Sequence, residues 1–301
     1  MLPGMAGKPT IAIIGAGNLG SVLAVALHRA GYAIREIVGR DDERARRRNA
    51  KLARRLGARA VGLKQAALDA DVIWFSVPDG AIAACARAVA RGREWTGKTV
   101  VHSSGALPAS ELEPLRRRGA RAASAHPLMT FVAGVTPSLA GVPIAMEGDA
   151  AATRVVGRIV RDLGGDPFPI RAADKVLYHA WGAFASPLMV ALLAVAEEVA
   201  ARAGLERAAG RKKMLPILQQ TWRNYAARGP AASFSGPLVR GDAATVRQHV
   251  KALEKVPGAK DVYLALARSA LRTLPVRNKA ELQRALGTAA GSKKRRARRK
   301  A

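Results

Sequence analysis

The chain has 301 residues, enough for about two average domains. Its 49% hydrophobic content excludes wholesale disorder. Lys plus Arg number 50 against 22 Asp plus Glu, a formal net charge of +28, which ordinarily points to nucleic acid or an anionic membrane. Much of that charge is Arg scattered along helix faces, and aromatics are only 4%, which argues against a base-stacking platform. The single cysteine, Cys85, excludes a disulfide scaffold and a Cys-rich zinc site. It suits a reducing cytoplasm, and no metal site is expected.

In chain order, the buried run Ile11 to Ile14 leads through a glycine-rich turn into a helix over Ser21 to Ala30. A second strand, Ile34 to Val38, precedes an Arg-rich helix, Glu43 to Leu56, and a weak third strand lies near Ala60 and Val61. The run Asp71 to Val77 reads as a buried strand stopped by Pro78 and followed by a helix from Ala81 to Ala90. Next come strand Thr99 to His102, helix Ala109 to Arg118 and a strand near Ala122 to Ala125. Strand Pro143 to Met146, helix Ala151 to Leu163 and strand Pro167 to Ile170 close this half. Apolar strands alternating with amphipathic helices predict a Rossmann-type, doubly wound parallel sheet covered on both faces.

After Ala172 the strand signals stop. Lys175 to Ala203 reads as one long apolar helix, and further helices are expected over 212–227, 243–253, 262–274 and 279–286. The segment Gly229 to Asp242 reads as a Pro- and Gly-containing loop. The expected organisation is a dinucleotide-binding domain over 9–171, an all-α domain over 172–289 and a disordered basic tail over 290–301. The apolar stretches Ile11 to Leu27 and Ala180 to Ala196 are interrupted by Gly or Pro, so buried segments are expected rather than membrane spans.

Gly15-Ala16-Gly17-Asn18-Leu19-Gly20 matches G-x-G-x-x-G. It follows a buried strand and opens a helix, the context its mechanism requires. The first Gly permits the turn, the second admits a pyrophosphate to the backbone, and the third allows close helix–strand packing. About 20 residues further on, an NAD site places an acid for the ribose; here the count reaches Arg40, with Arg44 one turn on. A guanidinium suits a 2′-phosphate, so NADP(H) is expected over NAD(H). The alternative leaves Arg40 in solvent with Asp41 or Asp42 on the ribose.

Other candidates sit at the carboxyl ends of strands, where doubly wound sheets bind ligands. Ser76, Val77 and Pro78 are expected to line the dinucleotide, and Ser103 and Ser104 to face nicotinamide or substrate, Ser104 alternatively capping a helix. His126 occupies the next strand end. Lys175 and His179 share a helix face. There Lys175 can hold or protonate a substrate atom, or else snorkel while His179 serves the core.

Together with Ser76-Val-Pro-Asp79, His102-Ser-Ser-Gly-Ala-Leu107, Ala125-His-Pro-Leu-Met129, the Lys175–His179 helix and Gly236-Pro-Leu-Val-Arg-Gly-Asp242, the fingerprint resembles one group of proteins. These are bacterial Rossmann-like proteins with an uncharacterised helical C-terminal domain, commonly assigned as NADP oxidoreductases and likened to deazaflavin-dependent ones. More distantly the pattern is similar to β-hydroxyacid dehydrogenases, ketopantoate reductase and pyrroline-carboxylate reductase, whose helical domains resemble that of 6-phosphogluconate dehydrogenase. The resemblance implies a homodimer formed through the helical domain. It also implies a catalytic Lys at Lys175, although His179 stands where the β-hydroxyacid dehydrogenases carry Asn. The expected function is hydride transfer with NADP(H) to or from a small carbonyl, hydroxyl or imine substrate, with catalytic Lys175, His179, His126 and Ser103. A dinucleotide sensor without turnover is the alternative, and the tail could contact nucleic acid.

Overall fold

The computed structural model describes residues 7–287; the basic tail lies outside them. The described residues divide into two compact units, the first ending at 185 and the second beginning at 186.

The first unit is built on an eight-stranded sheet in the order β3-β2-β1-β4-β5-β6-β7-β8. Its strands are β1 (Ile11–Ile14), β2 (Ile34–Gly39), β3 (Arg59–Gly62), β4 (Val72–Phe75), β5 (Thr99–His102), β6 (Arg121–Pro127), β7 (Pro143–Gly148) and β8 (Asp166–Pro169). β1, β4 and β5 are buried along their whole length, as continuous apolar strands between two helical layers must be. Helices α1 (Asn18–Arg29), α2 (Glu43–Leu56), α3 (Asp79–Ala90), α4 (Glu113–Arg116) and α5 (Ala150–Asp162) connect them. Two apolar clusters result: one holds Leu23 and Leu27 of α1 with Val156 and Ile159 of α5, the other Ile82 and Val89 of α3 with Leu112 and Leu115.

The structure corrects several expected elements. The sheet is not wholly parallel, because β7 runs antiparallel to β6. The expected helix from Ala109 begins as a 3-10 turn, Ala109–Leu112, before the single α-turn of α4. Pro114 has no amide to donate to the Ser110 carbonyl, so the two pieces do not join as one α-helix. The expected long helix from Lys175 is two helices, α6 (Lys175–Ala185) and α7 (Pro187–Arg202). Pro187 lacks an amide hydrogen and restricts Ser186, whose φ of −132° is not helical. α6 is counted with the sheet unit.

The second unit contains α7, α8 (Arg207–Ser233), α9 (Pro237–Arg240), α10 (Ala243–Leu253), α11 (Ala259–Thr273) and α12 (Lys279–Ala285). α8 runs into the segment expected to be a loop. It bends at Gly229, whose φ of +72° only glycine adopts cheaply. A small core forms from Val246, Leu271, Leu282 and Leu286. Beside it an apolar groove of about 520 Å³ is lined by Leu192, Val199, Leu253, Val262 and Leu266.

The stretch Ala172–Arg202 is long and apolar enough to cross a membrane by length and composition, and none of its most apolar part is buried within the chain. Leu177, Trp181 and Phe184 on α6, and Leu188, Met189 and Val190 on α7, are exposed. On each of the two helices these residues present an exposed apolar face.

Candidate active site

The glycine turn joins β1 to α1. Gly15 has φ +96°, and a Cβ there would lie 2.6 Å from the Ser76 carbonyl oxygen. A Cβ on Gly20 would run into the Gly15 carbonyl, so this glycine lets the helix close on the strand. Gly17 differs: its φ is −72° and a Cβ would meet nothing within 4 Å. Gly17 caps α1, and the amides of Gly17, Asn18 and Leu19 donate to no acceptor among the described residues. Free amides at a helix N-terminus in front of open space form an anion seat. Ala16 and Leu19 complete the turn, and the Asn18 side chain donates to the Phe131 carbonyl (3.1 Å). Next to the turn, the buried Ser76 Oγ has no partner, and Val77 lies against Gly15. A dinucleotide would fit these residues, with the free amides of Gly17 to Leu19 placed to hold a pyrophosphate and Ser76 to Pro78 beside it.

At the end of β2, Arg40 is exposed, its Nε 3.5 Å from Asp42. Both acids that could take a ribose are otherwise engaged. Asp42 caps α2 by accepting from the Ala45 amide (2.9 Å), while Asp41 pairs with Arg46 (3.8 Å). Arg40 is thus the exposed cation at this strand end, with Asp42 as its only ionic neighbour among the described residues.

At the ends of β5 and β6 the structure rearranges the expected roles. Ser103 Oγ accepts from the Trp74 indole (2.8 Å), which holds it to the sheet rather than among the other candidates. Ser104 builds the turn: its Oγ donates to Asp79 (2.9 Å) and accepts from the amides of Ala106 and Leu107. The wholly buried His102 braces the same turn. Its Nδ1 accepts from the Ser104 amide (3.1 Å) and its Nε2–H donates to the Pro108 carbonyl (2.9 Å).

Lys175 is expected at a cleft wall, yet it is 0% exposed. Its Nζ donates to the Ser104 carbonyl (3.0 Å) and to Ser124 Oγ (2.7 Å). Burial lowers its pKa, with Glu147 and Asp79 opposing. A buried amine needs such partners, and the Nζ is engaged by Ser104 and Ser124 rather than exposed on a cleft wall. It braces the Ser104–Gly105 turn through the Ser104 carbonyl.

The groups that come together are His126, Tyr178 and His179. His126 Nδ1 lies 3.0 Å from the Tyr178 hydroxyl, and its ring stands edge-on to His179 with centroids 5.6 Å apart. Burial, with His179 and Lys175 adding, pulls the His126 pKa down to about 4, so the ring is neutral at pH 7. Burial also pushes the Tyr178 pKa up to about 12. Gly105 lies between the imidazoles: a Cβ there would be 2.5 Å from His179 Cδ2 and 2.9 Å from His126 Nε2. Tyr178 and Gly105 were not among the expected site residues. Tyr178, three positions after Lys175 on the same helix face, was the available signal.

Comparison with known proteins agrees with this architecture. Residues 6–127 match the model of the Rossmann-like domain, and residues 142–270 match that of a domain of unknown function, DUF2520. The two models match successive parts of the chain. Among solved structures, a Bacteroides fragilis protein provisionally assigned as an NADP oxidoreductase is 23% identical, covering 87% of this chain and 97% of its own, with a TM-score of 0.74. A Thermotoga maritima protein is 22% identical over 93% and 99%, with a TM-score of 0.67. An imine reductase from Myxococcus stipitatus, solved with NADP+, is 18% identical over 88% and 94%, with a TM-score of 0.63. No curated protein matches the sequence significantly. These likenesses establish the fold.

Proposed function

We propose that the protein is an NADP(H)-dependent oxidoreductase acting on a small carbonyl, hydroxyl or imine substrate. The observation that carries this reading is the open anion seat at Gly17 to Leu19 on the same sheet edge as the His126–His179 pair. The solved NADP+ complex of the imine reductase supports the choice of cofactor. When bound, the dinucleotide supplies or accepts the hydride. The chain's residues do the rest: the turn amides hold the pyrophosphate, Arg40 the 2′-phosphate and Ser76 the neighbouring polar edge. The exposed His179 imidazole exchanges a proton between solvent and the substrate heteroatom. Lys175, through Ser104, keeps the turn facing His126.

NADPH is expected to bind at least about tenfold more tightly than NADH, about 1.4 kcal/mol. Arg40→Asp is expected to narrow or reverse that ratio, because it replaces an exposed guanidinium at this strand end with a carboxylate. Calorimetry on both cofactors checks it, and equal parental affinities would remove the 2′-phosphate role. Oxidation of NADPH across a panel of ketones, keto acids and cyclic imines separates an enzyme from a sensor.

The same reading makes the protein a cytoplasmic homodimer. A second copy covers the apolar faces on α6 and α7 better than a membrane does. Pro187 breaks that stretch, and Glu197 and Glu198 pair with Arg211 and Arg207 at its end. The expected result is a dimer mass in detergent-free solution by light scattering. Trp181→Glu together with Phe184→Glu should shift it to monomer, whereas partition of the parent into detergent would favour the membrane.

A further inference from the structure

We propose that the outer face of α2 is a docking surface for the phosphate backbone of a nucleic-acid duplex, held by charge and without regard to base sequence. The inference is independent of the oxidoreductase reading and uses a different face of the sheet unit.

The first observation is the order that the fold gives to the cations of α2. Its 14 residues carry six arginines and one lysine. Ala45, Asn49, Ala53 and Leu56 turn inward and are buried. At about 100° per residue, Arg44, Arg48, Lys51 and Arg55 lie within about 60° of arc around the helix and span about 16 Å along it. All four are exposed. Charges that look scattered in the sequence thus form one row on the surface.

The second observation is that the row has no counter-charge. The acids at the start of the helix pair with other arginines: Asp41 with Arg46, Asp42 with Arg40 and Glu43 with Arg47. The side chains of Arg44, Arg48, Lys51 and Arg55, and of Arg54 beside them, make no ion pair or hydrogen bond among the described residues. Neighbours in the row stand three or four positions apart, where like charges repel. An external polyanion relieves a cost that the folded chain otherwise carries alone.

The third observation lies where α2 ends. An open hollow of about 570 Å³ there is lined by Leu56, Gly57, His28, Arg35 and Arg59. Arg35 is exposed and has no ion pair among the described residues. Arg59 reaches the buried Glu36, which also accepts from the Ala67 and Leu68 amides. Guanidinium groups in such a hollow suit phosphate oxygens. The row of α2 therefore ends beside a second cationic patch on the same unit.

What the surface lacks selects the partner. None of the large apolar side chains exposed among the described residues lies on α1, β2 or α2, whereas a helix that lies on a membrane needs an apolar face to insert. Protein interfaces likewise centre on apolar or aromatic anchors. α2 has no aromatic side chain on which an unpaired base could stack. What remains is a regular line of charge. A duplex strand places a phosphate about every 3.4 Å, so the row faces about five of them.

The test is fluorescence anisotropy of a labelled DNA duplex of about 20 base pairs with the full chain, between about 50 and about 200 mM NaCl. Binding is expected to weaken steeply with salt, and two duplexes of unrelated sequence should bind within about threefold of each other. Replacing four cations together, Arg48→Gln, Lys51→Gln, Arg54→Gln and Arg55→Gln, should weaken binding at the lowest salt at least about tenfold and reduce the log–log salt slope by about 3 to 4. Arg48→Gln with Arg55→Gln alone should reduce the slope by about 2, which keeps the test decisive if the fourfold variant does not fold. The C-terminal cations remain in every variant, so a slope unchanged by the substitutions places binding elsewhere in the chain and overturns the proposal. Absence of parental binding at the lowest salt overturns it as well, as do phosphatidylserine vesicles that bind the parent as tightly as the duplex does.

Discussion

Gly17→Val is expected to weaken NADPH binding by at least about a hundredfold, about 2.7 kcal/mol, without lowering the melting temperature of the unliganded protein. The two halves of that expectation come from the same geometry. Gly17 has an ordinary φ of −72°, and a Cβ would touch nothing within 4 Å, so valine is compatible with the fold. The space it enters is the space in front of the free amides of Gly17, Asn18 and Leu19, where a pyrophosphate would sit. Gly15 and Gly20 should behave oppositely. Side chains there strike the Ser76 or Gly15 carbonyl, so substitution should damage the fold before it affects binding. Calorimetry for affinity and thermal unfolding of the unliganded variants separate the two cases. A Gly17→Val protein that still binds NADPH would show that the turn serves packing alone.

The fold of the sheet unit was largely legible because burial on both faces leaves an unambiguous mark. Runs such as Ile11–Ile14 and Val72–Phe75 are apolar throughout, and their ends are punctuated by Gly15 and Pro78. Strand direction was not legible: nothing in Pro143–Gly148 says which way it runs, and β7 pairs antiparallel with β6. The helical unit was harder to divide. Apolar residues continue across Ser186–Pro187, so the pattern alone does not show that break, whereas Gly229 and Pro230 did mark the bend but not the helical turn beyond it. The rule that proline ends a helix at the residue before it was available and would have placed the first break.

At the site, sequence spacing showed which strand ends mattered but not which side chains faced one another. His126 and His179 were expected together, and they meet. Lys175 and Ser103 were expected beside them, yet one is enclosed behind the turn and the other is bonded to Trp74. Lys175 and His179 lie one turn apart on the same face of α6, so spacing alone does not say which of them is enclosed. His102 lay inside a quoted motif and was passed over because a histidine at a strand's last buried position has no periodic signature.

That histidine should make the folded protein sensitive to acid. His102 is wholly buried and uses both ring nitrogens, accepting from the Ser104 amide and donating to the Pro108 carbonyl. Burial pulls its pKa to about 4, with Lys175 adding and the Pro108 bond and Asp79 opposing. In the unfolded chain the ring titrates near 6.5. Between those values the unfolded state holds more protons, so this contribution to stability is full above 6.5 and is lost as pH falls towards 4. From pH 7 to pH 5 the loss from this one group is about 2 kcal/mol. Protonation would also set an Nδ1–H against the Ser104 N–H, two donors facing each other, and so open the turn that carries Gly105. His102→Gln keeps one acceptor and one donor but does not titrate, so its stability should change less over that interval by about the same 2 kcal/mol. Urea unfolding of both proteins at the two pH values measures the difference. Parallel losses in parent and variant would mean that the site accepts the charged ring and that the turn is held by Lys175 and Ser104 alone.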